Sequence, residues 1–323
     1  MIGLNKMISK TEFRKLHHAI TLLGMSGVGK TMLSTSLRNS ANWFHYSADY
    51  RIGTRYLSEH ILDNVKFKIM QMRDPFVANL LRSDSIYINH NISVDNLEPV
   101  STFLGIYGDP KFGGLDKATF IERQELYRWA EVESMKDTAN FISKSWQIYG
   151  CSNFINDASG SLCEICNPDA PDDPVIRALT SDTLILYILP NSTYEEDLKS
   201  RASTNPKPLF YNPKFISPKL AIQPDNGAGV EPIEFARPLF PELLEFRKPR
   251  YKSIANNFGF TILSEELFQP LDGVDASLNS NTFLDRVYAI VTEQAGKSDN
   301  AMSNLAKYLI ACESRKKSRK KYL

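Results

Sequence analysis

The octapeptide Gly24-Met25-Ser26-Gly27-Val28-Gly29-Lys30-Thr31 constrains this chain more than any other feature. It fits G-x-x-x-x-G-K-[ST], a pattern that arises by accident in roughly one chain in a hundred of this length. An apolar run, Ala19-Ile20-Thr21-Leu22-Leu23, precedes it, and a stretch of helical character from about Lys30 to Asn39 follows. Strand, glycine-rich turn and helix in that order predict a phosphate-binding loop. Glycines let backbone N–H groups curl around phosphate oxygens, and the helix N-terminus adds the positive end of its dipole. In such a loop Lys30 reaches the β- and γ-phosphates and the Thr31 hydroxyl ligates Mg²⁺. The expected cofactors are ATP and Mg²⁺, held by Gly24, Met25, Ser26, Gly27, Val28, Gly29, Lys30, Thr31 and Met32. No base-reading motif in the sequence separates ATP from GTP.

Short β-like runs alternate with helical stretches along the rest of the 323 residues, which predicts an α/β fold. The second run is Asn42-Trp43-Phe44-His45-Tyr46, ending near Ser47-Ala48-Asp49. The third is Ser152-Asn153-Phe154-Ile155-Asn156, ending at Asp157. The fourth, Thr183 to Leu189, is apolar apart from its first residue and Tyr187, as suits a central parallel strand covered on both faces. The fifth, Phe258 to Leu263, is weaker. Helices are expected over Arg51 to Leu62 and, amphipathically, over Thr282 to Gln294. Two long segments interrupt the pattern. One, 63–148, reads as helical and polar, with a glycine-rich loop from Gly105 to Gly114. The other, 202–248, is rich in proline (Pro206, Pro208, Pro213, Pro218, Pro224, Pro232, Pro238 and Pro241, with Pro249 just beyond), which predicts a long irregular flap. The expected organisation is a core built from 1–62, 149–201 and 249–313, a helical acceptor-binding insertion at 63–148, a proline-rich lid at 202–248 and a basic tail at 314–323.

Composition narrows the class further. Hydrophobic residues at 42% and charged residues at 23% are those of an ordinary globular chain, which excludes wholesale disorder and a coiled coil. No apolar stretch approaches the ~20 residues that span a bilayer, and the first twenty residues lack the apolar core of a signal peptide. With only four cysteines, a reducing cytoplasm is the expected compartment. The formal net charge of +1 hides an asymmetry. Ser314 to Leu323 carry six lysines and arginines and no acid, so the remainder stands at −5. An acidic body argues against a nucleic-acid binder. Only the tail offers contact with nucleic acid or anionic lipid, and its plainer reading is a disordered, solvated end.

A phosphate-binding loop of this type needs an acid at the end of a neighbouring strand. Asp157 and Asp49 both close predicted strands. Asp157 reads as the acid that organises Mg²⁺ with Thr31; the plain alternative for either is a helix cap or turn residue. The lone Cys163-Glu164-Ile165-Cys166 has no second pair to complete a zinc site. His17, His18, His45, His60 and His90 show no metal-ligand spacing, and His45 reads as a core or pocket histidine.

In order and spacing the chain resembles the shikimate-kinase-like branch of the P-loop small-molecule kinases. Trp43-Phe44-His45-Tyr46-Ser47-Ala48-Asp49 is similar to the family strand that ends in Asp-x-Asp, with Ser47 in place of the first acid. Asp157-Ala158-Ser159-Gly160-Ser161 stands where the family has a glycine-rich turn. Phe120-Ile121-Glu122-Arg123-Gln124-Glu125 resembles the segment whose arginine binds an anionic acceptor. Thr183 to Leu189 followed by Glu195-Glu196-Asp197-Leu198-Lys199-Ser200-Arg201 resembles the fourth strand and the helix leading to the lid. Asn205-Pro206-Lys207-Pro208-Leu209 resembles the lid segment itself, and Tyr251-Lys252-Ser253-Ile254-Ala255 the helix before the fifth strand. The resemblance implies a three-layer P-loop NTPase fold with strand order 2-3-1-4-5. It implies phosphoryl transfer to a hydroxyl of a small, anionic acceptor. Asp49 would meet that hydroxyl, and Arg51, Arg55 or Arg123 would hold the anionic part. Arg201, then Lys207, would be the lid cation facing phosphate. Lys30, Asp49 and Arg201 are thus the expected catalytic set. The run Asp49-Tyr50-Arg51-Ile52-Gly53-Thr54-Arg55-Tyr56 also looks like that of bacterial proteins described only as ATPases. An ATPase or switch working with a macromolecular partner, docked through the basic tail, is the alternative expectation.

Overall fold

A computed structural model describes residues 8–39, 42–72, 74–170, 172–268 and 279–320. Five strands form one parallel sheet: β1 Ala19–Leu23, β2 Trp43–Ser47, β3 Asn153–Asp157, β4 Leu184–Leu189 and β5 Gly259–Leu263. Their order is β2-β3-β1-β4-β5, as expected, and the strand boundaries lie within a residue or so of those read from the sequence. β1 is central and all five of its residues are buried, which is why it reads as a continuous apolar run. Register sets the functional end of the sheet. Asp157 pairs with Leu22 of β1 on one side and Ser47 of β2 on the other, so the carboxyl ends of three strands lie together at one end of the sheet. In open parallel sheets ligands bind beyond the carboxyl ends, where the strand order reverses. Here that point lies beyond β1, at the glycine-rich turn.

The helices are α1 Lys10–Arg14, α2 Lys30–Asn39, α3 Ala48–Arg51, α4 Ser58–Gln71, α5 Pro75–Arg82, α6 Glu98–Leu104, α7 Lys117–Lys136, α8 Thr138–Gln147, α9 Leu162–Ile165, α10 Pro174–Thr180, α11 Ser192–Thr204, α12 Pro213–Ala221, α13 Pro232–Ala236, α14 Leu239–Phe258, α15 Ser264–Phe268, α16 Ser280–Ala295 and α17 Asp299–Lys320. The chain divides into two compact units. The first comprises Met1–Ser47, Met135–Arg201 and Pro241–Leu323; the second comprises Ala48–Ser134 and Ala202–Phe240. Most of both segments that interrupt the α/β pattern therefore belongs to one unit.

In the first unit, side chains alternate along β2 to serve two helical layers. Phe44 and Tyr46 meet Phe141 of α8 at centroid distances of 6.2 and 5.0 Å. Trp43 points the other way, edge-on to Phe283 of α16 at 5.7 Å, with its Nε1 donating to Ser280 Oγ at 2.8 Å. That period of two, with helices on both faces, is what a buried parallel strand requires.

The C-terminal helix corrects the expectation of a solvated basic tail. α17 continues through the basic stretch to Lys320, and two of its arginines close the opposite end of the sheet. Arg315 donates from Nε to His17 O at 3.0 Å and from Nη1 to Asp182 O at 2.6 Å. Arg319 donates to His17 Nδ1 at 2.8 Å and to Gly150 O at 3.3 Å. These acceptors lie just ahead of β1, β4 and β3, so the side chains satisfy carbonyls the ladder leaves free. Arg315→Ala is expected to cost about 2–3 kcal/mol, because a charged donor is removed from partly buried carbonyls. Chemical denaturation measures it, and a loss below about 0.5 kcal/mol would contradict the role.

Beside this clasp His18 is fully buried. Its Nε2–H donates to Phe13 O at 2.9 Å, and its Nδ1 accepts from the Tyr308 hydroxyl at 2.8 Å. Burial pulls its pKa down to about 3, against the Phe13 bond, which favours the charged form; nearby Arg315 and His17 push the same way as burial. Unfolded, His18 takes a proton below about pH 6.5, which the folded state refuses until about pH 3. The unfolded state thus binds more protons in that window, and stability falls as pH falls through it. Relative to His18→Phe, the wild type should lose about 1.4 kcal/mol between about pH 7.5 and about pH 5.5. Urea titrations at both values check it, and parallel pH profiles would refute it.

The second unit is helical, and here too the structure departs from expectation. The helix expected over Arg51 to Leu62 is interrupted by a π-helical turn at Ile52–Tyr56 before α4 begins. Gly53 lies against α6 there, where an added Cβ would meet Val100 at 2.5 Å. The proline-rich segment is largely not irregular. Pro213 and Pro232 occupy first helical turns behind the caps Asn212 and Glu231, where a missing N–H is harmless and φ is already set. Pro218 and Pro249 lie inside α12 and α14. The glycine-rich loop at Gly105 to Gly114 is pinned. Asp109 accepts from Gly229 N at 3.0 Å and Lys111 N at 2.9 Å, and Gly227 approaches Gly108 so closely that a Cβ would stand 2.2 Å from its carbonyl oxygen.

Candidate functional site

The turn after β1 has the geometry its composition demands. Gly24, Gly27 and Gly29 take φ of +150°, +88° and +94°, while Met25, Ser26 and Val28 stay out of the positive-φ region. That alternation turns successive N–H groups toward a common concavity, which attracts an anion. Space as well as backbone excludes side chains: a Cβ at Gly27 would stand 2.9 Å from Leu198, and one at Gly29 would stand 2.8 Å from the Phe268 ring. Met25 and Val28 are buried and anchor the turn in the core, so they offer only backbone to a ligand. Ser26 and Gly27 are exposed at the tip, and Thr31 and Met32 are exposed on the first turn of α2. Lys30 is only 6% exposed; its Nζ donates to Gly24 O at 2.7 Å and Met25 O at 3.1 Å, folding the cation across the rim of the turn.

Asp157 ends β3 beside this turn with 7% exposure. His45 Nε2 lies 3.5 Å from Asp157 Oδ2, and the His45 side chain is wholly buried, with no hydrogen bond to either ring nitrogen among the described residues. Past Asp157 the chain presses on the turn: a Cβ at Gly160 would lie 2.7 Å from Ser26 N.

α11 covers the tip from the other side. Tyr194 donates its hydroxyl to Gly27 O at 2.8 Å, and the Arg201 guanidinium lies over the Tyr194 ring at 5.8 Å. Arg201 Nη2 is 4.0 Å from where a Gly27 Cβ would stand, so an exposed cation lies next to the turn. A groove of about 340 Å³ opens beside it, lined by Asn191, Thr193, Tyr194, Asp197, Glu265 and Phe268, among others. Two aromatic rings with polar edges suit a flat heterocycle. Apart from Asp197, in the segment Glu195 to Arg201, these residues carry no local signal in the sequence. Their signal was topological: residues just past β4 and β5 must lie near the end of β1 once the order is 2-3-1-4-5.

The other expected site residues lie in the second unit. Asp49 stands in the first turn of α3, half-buried, and accepts from the Tyr127 hydroxyl at 3.1 Å. Arg51 lies over the Tyr56 ring at 5.6 Å, and Arg55 is exposed on the π-helical turn. Arg123 is an internal brace: its guanidinium donates to Phe103 O and to Asn64 Oδ1 at 2.9 Å and lies over the Phe103 ring. Burial lowers its pKa. Lys207 is exposed in the connection after α11.

Cys163 and Cys166 are buried free thiols, and burial pushes Cys163 well up from its ordinary range. No cluster of three metal-ligating side chains occurs among the described residues. The donors that remain, the Thr31 hydroxyl and the Asp157 carboxylate, are oxygens of the kind a hard divalent cation takes when phosphate and water complete its shell. Together with a cradle that any Cβ would fill, they fit a phosphate–Mg²⁺ group. No helix among the described residues is long and apolar enough to cross a membrane. The chain matches no family model, no curated protein and no solved structure.

Proposed function

We propose that the protein is an ATP-dependent phosphotransferase that moves the γ-phosphoryl of Mg·ATP to a hydroxyl of a small anionic acceptor. The observation that carries this reading is the turn Gly24–Thr31: positive φ at Gly27 and Gly29, and Lys30 held at the rim, at the carboxyl end of the central strand. Backbone N–H groups of the turn hold the phosphates, and Lys30 leaves the Gly24 and Met25 carbonyls for the β- and γ-phosphate oxygens. Thr31 and Asp157 would hold Mg²⁺, whose charge offsets that of the phosphates. Arg201 adds a second cation to the transferring group, and the groove between Tyr194 and Phe268 takes the base. Asp49 orients or deprotonates the acceptor hydroxyl, with Arg51 or Arg55 on its anionic part. Catalysis of this kind is mostly positioning and electrostatics.

The alternative, a partner-driven ATPase docked through the basic tail, has less support. Two of the tail's cations, Arg315 and Arg319, are engaged on strand-end carbonyls and His17. ADP release from Mg·ATP, measured with and without a deproteinised small-molecule cell extract, tests the choice. The extract is expected to stimulate turnover at least about tenfold, by supplying the acceptor. A steady rate indifferent to the extract would favour the ATPase.

A further inference from the structure

A buried polar cluster lies behind the turn, outside that site. Arg247 of α14 is 1% exposed and Glu164 of α9 is 4% exposed. Arg247 Nε donates to Glu164 Oε1 at 2.6 Å, and Nη2 lies 2.5 Å from the same oxygen. The remaining nitrogen, Nη1, donates to Gly160 O at 2.8 Å and lies 3.6 Å from Met25 Sδ. Tyr251, one turn further along α14, donates its hydroxyl to the same Gly160 carbonyl and stacks on Tyr187 of β4 at 5.2 Å. Burial works most strongly against the charge of Arg247, but Glu164, Tyr251 and Cys163 together outweigh it and the pKa is raised, so the guanidinium stays charged.

A buried ion pair rarely stabilises a fold better than well-packed apolar side chains of the same volume. Its placement offers another reason. Gly160, held by two donors from α14, lies directly against Ser26, whose N–H belongs to the concave run; Met25, touched by the same guanidinium, is the second residue of the turn. The two turns that follow β1 and β3 are thus tied to one helix through one guanidinium.

We propose that the Arg247–Glu164 pair is the positioning element of the phosphate-binding turn, fixing Ser26 through Gly160 and Met25 so that the amides of 26–30 are set before the ligand arrives. The proposal rests on the reading of that turn as a phosphate site and adds residues to it that touch no ligand. Such preorganisation is worth about tenfold in affinity, since a turn that must be ordered on binding charges its ordering to the ligand.

The test is the double substitution Arg247→Met with Glu164→Leu in the full-length chain, which fills the volume and leaves no unpaired charge. Its melting temperature should be unchanged or raised. Its Kd for Mg·ATP should rise about tenfold, and amide hydrogen exchange at 26–30, measured without nucleotide, should accelerate by a similar factor. A stable double variant with wild-type affinity and wild-type exchange would overturn the proposal. Tyr251→Phe keeps the ion pair and removes one donor from Gly160. It should weaken binding about threefold and accelerate the same amides, and no change in either would overturn the proposal even where the double variant fails to fold. Failure of the wild type to bind Mg·ATP would sink the phosphotransferase reading alone, because the exchange rates report positioning without nucleotide.

Discussion

Lys30→Ala is expected to lose at least about 10³-fold in ADP formation from Mg·ATP while the chain stays folded. The argument combines position and charge. Lys30 is the first residue of α2, nearly buried, and its ammonium is held by Gly24 O and Met25 O at the rim of the concave turn. No other lysine or arginine stands within the turn itself. Charge gathers on the transferring phosphoryl in the transition state, and a cation aimed at it in a poorly solvated site contributes several kcal/mol. Deleting the ammonium also frees two carbonyls, so Lys30→Met, which retains the buried stem, separates chemistry from packing. Both variants should be inactive, with Lys30→Met closer to wild type in denaturation. Full activity in Lys30→Met would remove Lys30 from the mechanism.

Asp49→Asn is the second large effect. Asn keeps an oxygen to accept from Tyr127, so the local hydrogen bond at 3.1 Å survives and the fold should be unaffected. On the proposed reading, what it would lose is the ability to take a proton from the acceptor hydroxyl. General-base contributions of this kind run to about 10²–10⁴-fold. Extract-stimulated transfer should fall by that amount, while affinity for Mg·ATP, which the proposal assigns to Gly24–Thr31, should stay within about twofold. Unchanged transfer would take Asp49 out of the reaction; a parallel loss of nucleotide affinity would mean that it acts on the nucleotide instead.

Both predictions concern residues legible in the sequence, and the reason is physical. β1 and β4 are buried on both faces, so their apolar runs are continuous, and a turn forced to positive φ announces itself through glycine. Local rules of that kind also placed Asp157 at a strand end. Long-range pairings left no such trace. Arg247 and Glu164 are 83 residues apart, nothing in the local sequence of either points to the other, and only the packing of α14 behind the turn brings them together. Tyr194 and Phe268 were hidden for the same reason. In the proline-rich segment frequency alone predicts irregularity, but position decides: at the first turn of a helix proline is favourable. A run of like charge predicts a solvated end, whereas Arg315 and Arg319 satisfy carbonyls at the sheet's other end. Arg123 shows the limit of motif matching. A loose family pattern pointed to a ligand, and the structure gives its guanidinium to Phe103 and Asn64.

The central claim is that the turn Gly24–Thr31 binds a nucleoside triphosphate with Mg²⁺. Calorimetric titration of Mg·ATP into the full-length wild type, repeated with Lys30→Ala, tests it most directly. The account predicts one-to-one binding with a Kd on the order of micromolar, competition by ADP, and affinity reduced at least about tenfold in the variant. No binding to the wild type, or equal binding to both proteins, would contradict it.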